Sequence, residues 1–222
     1  MTENWIPSNW TFKSDDVAQR FDSHVRETLP WYDLATHGTA HLVKAYLPEN
    51  GIVYDIGAST GNIGRAISDT LQARNATFIP IEPAEEMAKL YEGPGNLINK
   101  DATTITYQPF DVAILFLVLM FIPLAERGKL LATLEQNLKP GGAIIIVDKI
   151  EATNGYLGST LTRWTLSQKQ LGGITANEII DKELALIGTQ RPINPHALNP
   201  NYYCWLRIGE FTGYILTSNE HL

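Results

Sequence analysis

The chain has 222 residues and a formal net charge of −7, and 44% of its residues are hydrophobic. This length suits one α/β domain, and the apolar content argues against intrinsic disorder. The excess of acidic residues opposes electrostatic attraction to DNA and to anionic membranes, so direct binding to either is not expected. The single cysteine, Cys204, cannot form an internal disulfide, and no Cys/His cluster has the spacing of a metal site.

The cysteine content and the termini favour a cytoplasmic protein. The N-terminus lacks a basic segment followed by an apolar core, and the longest apolar run, 112–122, is about half the length of a membrane span. We therefore expect a cytoplasmic protein without a membrane anchor. The sequence leaves the oligomeric state open, with a homodimer as one option.

The first part of the chain, 1–48, is predicted to be helical. Val17, Phe21 and Val25 recur every four residues after an acidic start, which predicts an amphipathic helix over 15–28. A second helix is predicted over 32–47. Both precede the first strand, so we expect a helical cap over the sheet.

Strands and helices alternate between residues 50 and 150. Strands are predicted at 52–56, 77–81, 95–99, 111–117 and 143–147, with helices after residue 62 and over 84–91 and 124–138. Apolar strands without polar alternation, separated by helices, indicate a parallel sheet covered on both faces. This segment is therefore predicted to be a doubly wound, Rossmann-like core.

The pattern changes after residue 150. Helices are predicted over 156–171 and 176–186, and two strands over 202–208 and 211–217 are typical of an antiparallel hairpin at the sheet edge. The expected fold is thus a single α/β domain with a seven-stranded sheet, mostly parallel with an antiparallel C-terminal strand. Its parts are a helical cap (1–48), a cofactor-binding core (50–150), and substrate-side helices with the C-terminal hairpin (151–222).

A glycine-rich turn follows Asp55 at the end of the first predicted strand. Glycine lets the backbone approach a ligand closely, and the helix that follows presents its first N–H groups to that ligand. Gly57, Gly61 and Gly64 have this arrangement. Since such a turn alone is weak evidence for a nucleotide site, a tight structural turn is the alternative.

Two carboxylates follow the next predicted strands. Glu82 ends the second strand, where the hydroxyls of a ribose would need an acceptor, although a solvated carboxylate before Pro83 is the alternative. Asp101 follows the third strand, where the adenine of a nucleoside would lie. A turn-capping aspartate explains Asp101 equally well.

The order of segments 53–61, 81–83, 100–102 and 138–142 resembles the class I S-adenosylmethionine (SAM)-dependent methyltransferases. The resemblance covers about residues 50 to 150 and implies SAM as the cofactor, with no metal. Ser59 stands where many members of the superfamily have glycine. The positions that the resemblance assigns to the cofactor are Tyr32, Asp55, Gly57, Ala58, Ser59, Gly61, Glu82, Pro83, Asp101, Ala102 and Phe116.

Within that superfamily the chain resembles the carboxy-SAM synthases, which make carboxy-SAM from SAM and prephenate for tRNA modification. This likeness extends to residues 21–32, and it implies that Tyr32 is a lid residue near the cofactor. Phe116 aligns with an asparagine of that family, and Glu183 aligns with the arginine that holds the extra carboxylate. A glutamate cannot pair with a carboxylate, so Glu183 argues against this activity unless Arg191 replaces that arginine.

The acceptor side is less well defined. The candidate acceptor residues are His37, His41, Arg163, Trp164 and Arg191. His37 and His41 lie one helical turn apart and could both face the cofactor, but a pair of exposed helix histidines is the plainer interpretation. Arg163 and Trp164 could bind an anionic or planar acceptor, and ordinary helix-face residues explain them equally well. Residues 115–118 lack the Asp/Asn-Pro-Pro-aromatic motif of amino-directed DNA methyltransferases, and no general base is identified.

Three functions therefore remain in competition. The leading hypothesis is a SAM-dependent methyltransferase acting on a small-molecule acceptor, in which the protein mainly positions the reactants and excludes water. The second is an enzyme like carboxy-SAM synthase that modifies SAM itself for tRNA modification. The third is a non-catalytic protein that binds SAM or a nucleoside.

Overall fold

The computed structural model describes residues 11–152 and 155–218. The helices are α1 (Asp15–Thr28), α2 (Tyr32–Tyr46), α3 (Asn62–Ala73), α4 (Glu85–Lys89), α5 (Leu124–Asn137), α6 (Gly155–Leu171) and α7 (Ala176–Ala185). The strands are β1 (Ile52–Ile56), β2 (Thr77–Ile81), β3 (Phe110–Phe116), β4 (Leu138–Lys149), β5 (Tyr203–Ile208) and β6 (Phe211–Thr217). Residues 1–10 of the expected cap, 153–154, and 219–222 of the last segment lie outside the described residues.

The strands form one sheet in the order β2-β1-β3-β4-β6-β5. Neighbours among β1 to β4 are parallel, whereas β6 runs antiparallel to β4 and β5 antiparallel to β6. The predicted Rossmann-like α/β class and the C-terminal hairpin are therefore confirmed. The strand order reverses at β1, since β2 lies on one side of it and β3 on the other.

The prediction of a seventh strand at 95–99 is wrong. In this segment only Ile98 pairs with the sheet, through an isolated parallel bridge to Ile81. Pro94 has no N–H to donate, and Gly95 has a φ of +78°, in the left-handed region that interrupts an extended strand. The sheet of the described residues therefore has six strands.

Both faces of the central strands are covered by helices. Along β3, Val112 and Ile114 lie in a buried cluster with residues of α2 and α3, whereas Ala113 and Leu115 lie in a second cluster with residues of α5. This alternation follows from the two-residue period of a strand, which sends successive side chains to opposite faces. The continuous apolar runs in the sequence are explained by burial on both sides.

The strand order also sets the position of a crevice. In open α/β sheets, ligands bind outside the carboxyl ends of the strands, at the point where the strand order reverses. Here the loops after β1, β2 and β3 meet at that point.

Candidate functional site

A cavity of about 250 Å³ lies at the carboxyl ends of the strands. One part of it, here called the turn half, is lined by Gly57, Ala58, Ser59, Glu82, Pro83, Met87, Asp101 and Ala102. The other part, here called the helix half, is lined by residues of α1, α6 and α7 and the end of β4, including His24, Lys149, Thr165, Lys169, Lys182 and Glu183. The same cavity includes Tyr32 and Phe116 in its lining.

The glycine turn has the backbone conformation that its sequence indicates. Gly57, Ser59 and Gly61 have φ values of 74°, 51° and 97°, all in the left-handed region. The conformation of Ser59 explains why glycine suits this position in the superfamily. A Cβ atom at Gly57 would overlap the side chain of Val118 in the loop after β3. The turn can approach that loop only because position 57 is glycine.

Glu82 connects the end of β2 to the glycine turn. Its Oε2 accepts a hydrogen bond from the backbone N–H of Ser59 at 2.9 Å, and its Oε1 accepts one from Ala84 at 2.9 Å. Burial raises the pKa of the Glu82 carboxyl, and these two hydrogen bonds oppose the rise. Each carboxylate oxygen has a further lone pair, so Glu82 can also accept hydrogen bonds from ligand hydroxyls in the cavity.

Asp55, at the end of β1, is only 1% exposed. Its Oδ2 is buried without a hydrogen-bond partner. Burial, with repulsion from Glu82, raises the pKa of Asp55 to about 7. A buried carboxylate oxygen without a partner is costly unless a donor or a cation satisfies it. Together with the turn and Glu82, Asp55 makes this end of the cavity suitable for a cationic nucleoside such as SAM.

Asp101 serves as a cap and lines the cavity at the same time. Its Oδ1 accepts hydrogen bonds from the backbone N–H of Thr103 at 2.8 Å and from the Thr103 hydroxyl at 2.7 Å, which caps the short 3-10 helix Ala102–Thr104. The residue is exposed at the turn half. The capping interpretation of Asp101 is thus observed, and a contact with a ligand remains compatible with it.

Helix α1 is attached to the glycine turn by a contact that the sequence did not indicate. Asp22 accepts a hydrogen bond from the Thr60 hydroxyl at 2.7 Å and pairs with the Arg65 guanidinium at 2.9 Å. Because Asp22 and Arg65 are far apart in the sequence, no local pattern could have paired them. This contact holds α1, whose residues line part of the cavity, against the glycine turn.

The rings of Tyr32 and Phe116 contact each other in the lining of the cavity. Their rings are 5.4 Å apart between centroids in an edge-to-face arrangement, and both line the cavity. Burial raises the pKa of the Tyr32 hydroxyl above its usual value. Phe116 thus presents an apolar ring to the cavity, at the position that the sequence analysis aligned with an asparagine.

The helix half contains a cluster of charged and titratable groups whose contacts with one another were not predicted from the sequence. The Nζ atom of Lys182 lies 2.7 Å from Nε2 of His24, and the Nζ atom of Lys169 lies 2.6 Å from Oε1 of Glu183. Lys149 also lines this half. Glu183 is therefore part of an ion pair in the lining of the cavity.

Burial sets the protonation of the cluster. It lowers the pKa of Lys182 to about 7, helped by repulsion from Lys169. Burial also lowers the pKa of His24 to about 3, helped by repulsion from Lys182 and Lys169. At neutral pH His24 is therefore an uncharged ring, and Lys182 is close to its point of half protonation.

The acceptor residues nominated from the sequence lie outside this cavity. His37 and His41 are exposed on α2, and Arg163 and Arg191 are exposed as well. Trp164 is 44% exposed. None of the five is among the residues that line the cavity, although Gln190, next to Arg191, is. The cavity therefore takes its helix half from lysines and a histidine that carried no recognisable motif.

Two absences apply to the part of the chain that the structure describes. No group of three or more His, Cys, Asp or Glu side chains is arranged to hold a metal ion there. Over the same residues, no helix is long and apolar enough to cross a membrane.

Comparisons with known proteins point to one superfamily. Residues 54–146 match a family model described as a methyltransferase domain. The chain is 29% identical over 196 residues to the carboxy-S-adenosyl-L-methionine synthase of Staphylococcus epidermidis, a match that covers 86% of this chain and 85% of the relative. It is 31% identical over 184 residues to the enzyme of the same name from Wolinella succinogenes, with coverages of 79% and 77%.

Solved structures agree on the fold. The magnesium protoporphyrin IX methyltransferase of Synechocystis, solved with bound SAH, matches with a TM-score of 0.60 at 12% identity, over 92% of this chain and 94% of that one. The fold, the cavity and the sequence relatives together support SAM as the cofactor. The chain is a SAM-dependent transferase that belongs to the class I SAM-dependent methyltransferase superfamily, in the family of the carboxy-SAM synthases.

Proposed function

We propose that this enzyme transfers the methyl group of SAM to a small-molecule acceptor bound in the helix half of the cavity. The observation that carries the proposal is that one cavity joins the turn half, which suits the cofactor, to a separate set of side chains on α1, α6 and α7. SAM supplies an electrophilic methyl group on a cationic sulfur. The protein contributes binding, orientation and exclusion of water.

The turn half supplies the groups that would hold the cofactor. In this proposal Glu82 accepts hydrogen bonds from the ribose hydroxyls, and Asp101 contacts the adenine. The glycine turn lies along the methionine part. Asp55, buried behind that turn with an oxygen that has no hydrogen-bond partner, favours the positive charges of SAM.

The surroundings of the cavity support a small acceptor. Phe12 and Phe121 line it and contact each other edge to face with ring centroids 4.9 Å apart, and Phe21 lines it beside them. Such an apolar wall favours a small acceptor with apolar surface. The net charge of −7 also opposes a nucleic-acid partner.

Mass spectrometry of small molecules tests this proposal. The purified enzyme is incubated with SAM and a protein-free extract of bacterial metabolites. We expect formation of SAH together with a new metabolite that is heavier by one methylene unit. If SAM binds but no SAH forms with any extract, methyl transfer is the wrong reaction.

The names of the relatives favour a second candidate, an enzyme that converts SAM to carboxy-SAM. Lys149 and Lys169 supply positive charge in the helix half. Glu183, which the sequence analysis aligned with the arginine of that family, argues against this activity. The mass of the ligand that co-purifies with the protein separates the two candidates. A ligand heavier than SAM by one carboxylate supports the synthase, whereas SAM or SAH supports methyl transfer.

A further inference from the structure

Three polar side chains around the helix half have hydrogen-bonding groups available to a ligand. Lys149 comes from the end of β4, Thr165 from α6 and Gln190 from the loop after α7, and all three are half-buried in the cavity lining. With the described residues, none of the three forms a side-chain hydrogen bond or an ion pair. In a mostly apolar pocket, a few convergent polar groups usually fix the orientation of the ligand. These side chains are therefore candidates for contact with the acceptor.

The hairpin of β5 and β6 joins the elements that carry Lys149 and Thr165. Lys149 is the register partner of Phe211, the first residue of β6. The turn before β6 is attached to α6, because the Thr162 hydroxyl donates a hydrogen bond to the Glu210 carboxylate at 2.8 Å. Thr165 lies about one helical turn further along α6, and Phe211 lines the cavity together with Lys149 and Thr165. The lysine and the hydroxyl are therefore held at the same end of the cavity.

Backbone hydrogen bonds fix the segment that carries Gln190. The N–H of Arg191 donates to the carbonyl oxygen of Met120 at 2.8 Å, and the N–H of Ile193 donates to the carbonyl oxygen of Lys149 at 2.8 Å. These two bonds hold the segment between the loop after β3 and the end of β4. Gln190 thus belongs to a segment that is attached directly to Lys149.

The ammonium group of Lys149 has no carboxylate partner among the described residues. Of these residues, Glu183 supplies the one carboxylate in the lining of the helix half, and it pairs with Lys169 at 2.6 Å. Asp148, next to Lys149 in the chain, accepts hydrogen bonds from backbone N–H groups, including that of Lys149 at 2.8 Å. Over the described part of the chain, two ammonium groups, Lys149 and Lys169, thus face one carboxylate. The excess positive charge favours an anionic ligand.

The size of this excess charge favours a carboxylate over a phosphate. A carboxylate carries one negative charge, whereas a phosphate ester carries about −1.5 to −2 at pH 7. The two oxygens of a carboxylate can accept hydrogen bonds from the ammonium of Lys149 and from the hydroxyl of Thr165 or the amide of Gln190. Phe21 and Phe121 in the same lining suit an apolar body attached to that carboxylate.

We propose that Lys149, assisted by Thr165 and Gln190, binds a carboxylate group of the methyl acceptor. The substrate is then a small carboxylic acid with an apolar body. This inference rests on the proposed methyl transfer, because it names the class of acceptor that occupies the helix half. The carboxylate anchors one end of the acceptor, which restricts the orientation in which its reacting atom meets the cofactor.

Titration with a model acid tests the subsite without turnover. The enzyme saturated with SAH is titrated with phenylacetate, phenylacetamide or phenyl phosphate, and binding is followed by ligand-observed NMR. We expect phenylacetate to bind at least about tenfold more tightly than the other two, since the amide loses a charge-assisted hydrogen bond and the phosphate leaves a second charge unbalanced. Equal binding of the acid and the amide, tighter binding of the phosphate, or no binding of the acid contradicts the inference.

Lys149→Gln tests the residue, because glutamine keeps a hydrogen-bond donor and removes the charge. We expect the Kd for phenylacetate to rise about tenfold while the Kd for SAH changes less than about twofold, which also shows that the variant is folded. Lys129→Gln, at an exposed position of α5, is the matched control and should change neither Kd. Lys149→Arg restores the charge and should recover most of the affinity.

Thr165→Val is a second, nearly isosteric variant that removes one donor and should raise the Kd for phenylacetate about threefold. If phenylacetate binds Lys149→Gln and Thr165→Val as tightly as it binds the unmodified enzyme, the inference is overturned.

Treatment of the metabolite extract separates this inference from the proposed function. Before SAM is added, acids are removed from one portion by an anion-exchange resin, and a second portion is treated with phosphatase. We expect the resin to abolish SAH formation and phosphatase to leave it unchanged. SAH formation that survives the resin, or that phosphatase abolishes, overturns the carboxylic acid and leaves methyl transfer intact. Absence of SAH with the untreated extract overturns methyl transfer, while the phenylacetate titration still decides whether Lys149 binds a carboxylate.

Discussion

The two halves of the cavity differ in charge and in how the chain builds them. The turn half is acidic, with Glu82 and Asp101 in its lining and Asp55 buried behind the glycine turn, and it comes from loops that follow strands. The helix half is basic and is assembled from residues as distant as His24 and Lys182, which are 158 positions apart. The difference teaches that the turn half is built by chemistry local to each strand and its loop, whereas the helix half depends on how distant helices pack.

The largest effect is expected from Glu82→Ala in the turn half. This change removes the proposed ribose acceptor and leaves the N–H groups of Ser59 and Ala84 without their partner. Since hydrogen bonds to a charged group contribute about 1.5–3 kcal/mol, we expect the Kd for SAM to rise about 100-fold, measured by calorimetry. Glu85→Ala removes an exposed carboxylate nearby and is the control. An unchanged Kd in Glu82→Ala would show that Glu82 does not contribute to SAM binding.

A smaller effect, on stability, is expected from Gly57→Ala. The new Cβ would strain a backbone with a φ of 74° and overlap Val118, so we expect the free energy of unfolding to fall by about 2 kcal/mol in urea titrations. Gly128→Ala in α5, where a Cβ would meet nothing within 4 Å, should instead raise it by about 1 kcal/mol. Equal effects at both positions would mean that the turn does not need glycine.

Asp55→Asn tests the buried charge behind the turn through pH. The pKa of Asp55 is raised to about 7 in the folded protein, so the folded state binds the proton more tightly than the unfolded chain does. The stability that Asp55 contributes is therefore present at acid pH and is lost as pH rises from about 4 to about 7. We expect the asparagine variant to lack this loss.

The measurement is the free energy of unfolding of both proteins without ligand between pH 4 and pH 8. The variant should be more stable at pH 8 by on the order of 1 kcal/mol, while its affinity for SAM falls. Burial also raises the pKa of Asp148 to about 7. Because Asp148 is present in both proteins, its effect cancels when the two free energies of unfolding are subtracted. Asp69→Asn, at an exposed position of α3, is the matched control. Parallel pH curves for Asp55→Asn and the unmodified protein would contradict the assignment.

The smallest effects are expected from His37→Ala and His41→Ala. Both side chains are exposed on α2 and lie outside the cavity lining. We expect changes of about 0.5 kcal/mol or less in stability and less than about twofold in SAH formation. A tenfold loss of turnover in either variant would place the acceptor on α2 rather than in the helix half.

Much of the fold and of the turn half could be predicted from the sequence. Strands β1 and β3 are short, mainly apolar runs, and the glycine turn begins directly after β1. Both signals, hydrophobic pattern and turn residues, lie within a few positions of each other in the chain. The predicted strand at 95–99 was the exception, because Pro94 and Gly95 prevent this segment from pairing along its length with the edge of the sheet. The β-forming residues of this segment favour a strand, but the positive φ of Gly95 is incompatible with an extended backbone.

The sequence by itself determined the α/β alternation, the SAM superfamily and the position of the glycine turn, because these depend on neighbours in the chain. Only the tertiary structure decided which charged residues line the helix half of the cavity. It brought Lys182 beside His24 and Lys169 beside Glu183. It left outside the cavity lining the five acceptor candidates nominated from the sequence: His37, His41, Arg163, Trp164 and Arg191. The physical reason is that burial and the packing of α1, α6 and α7 set these contacts and their pKa values, and neither has a local signature in the chain.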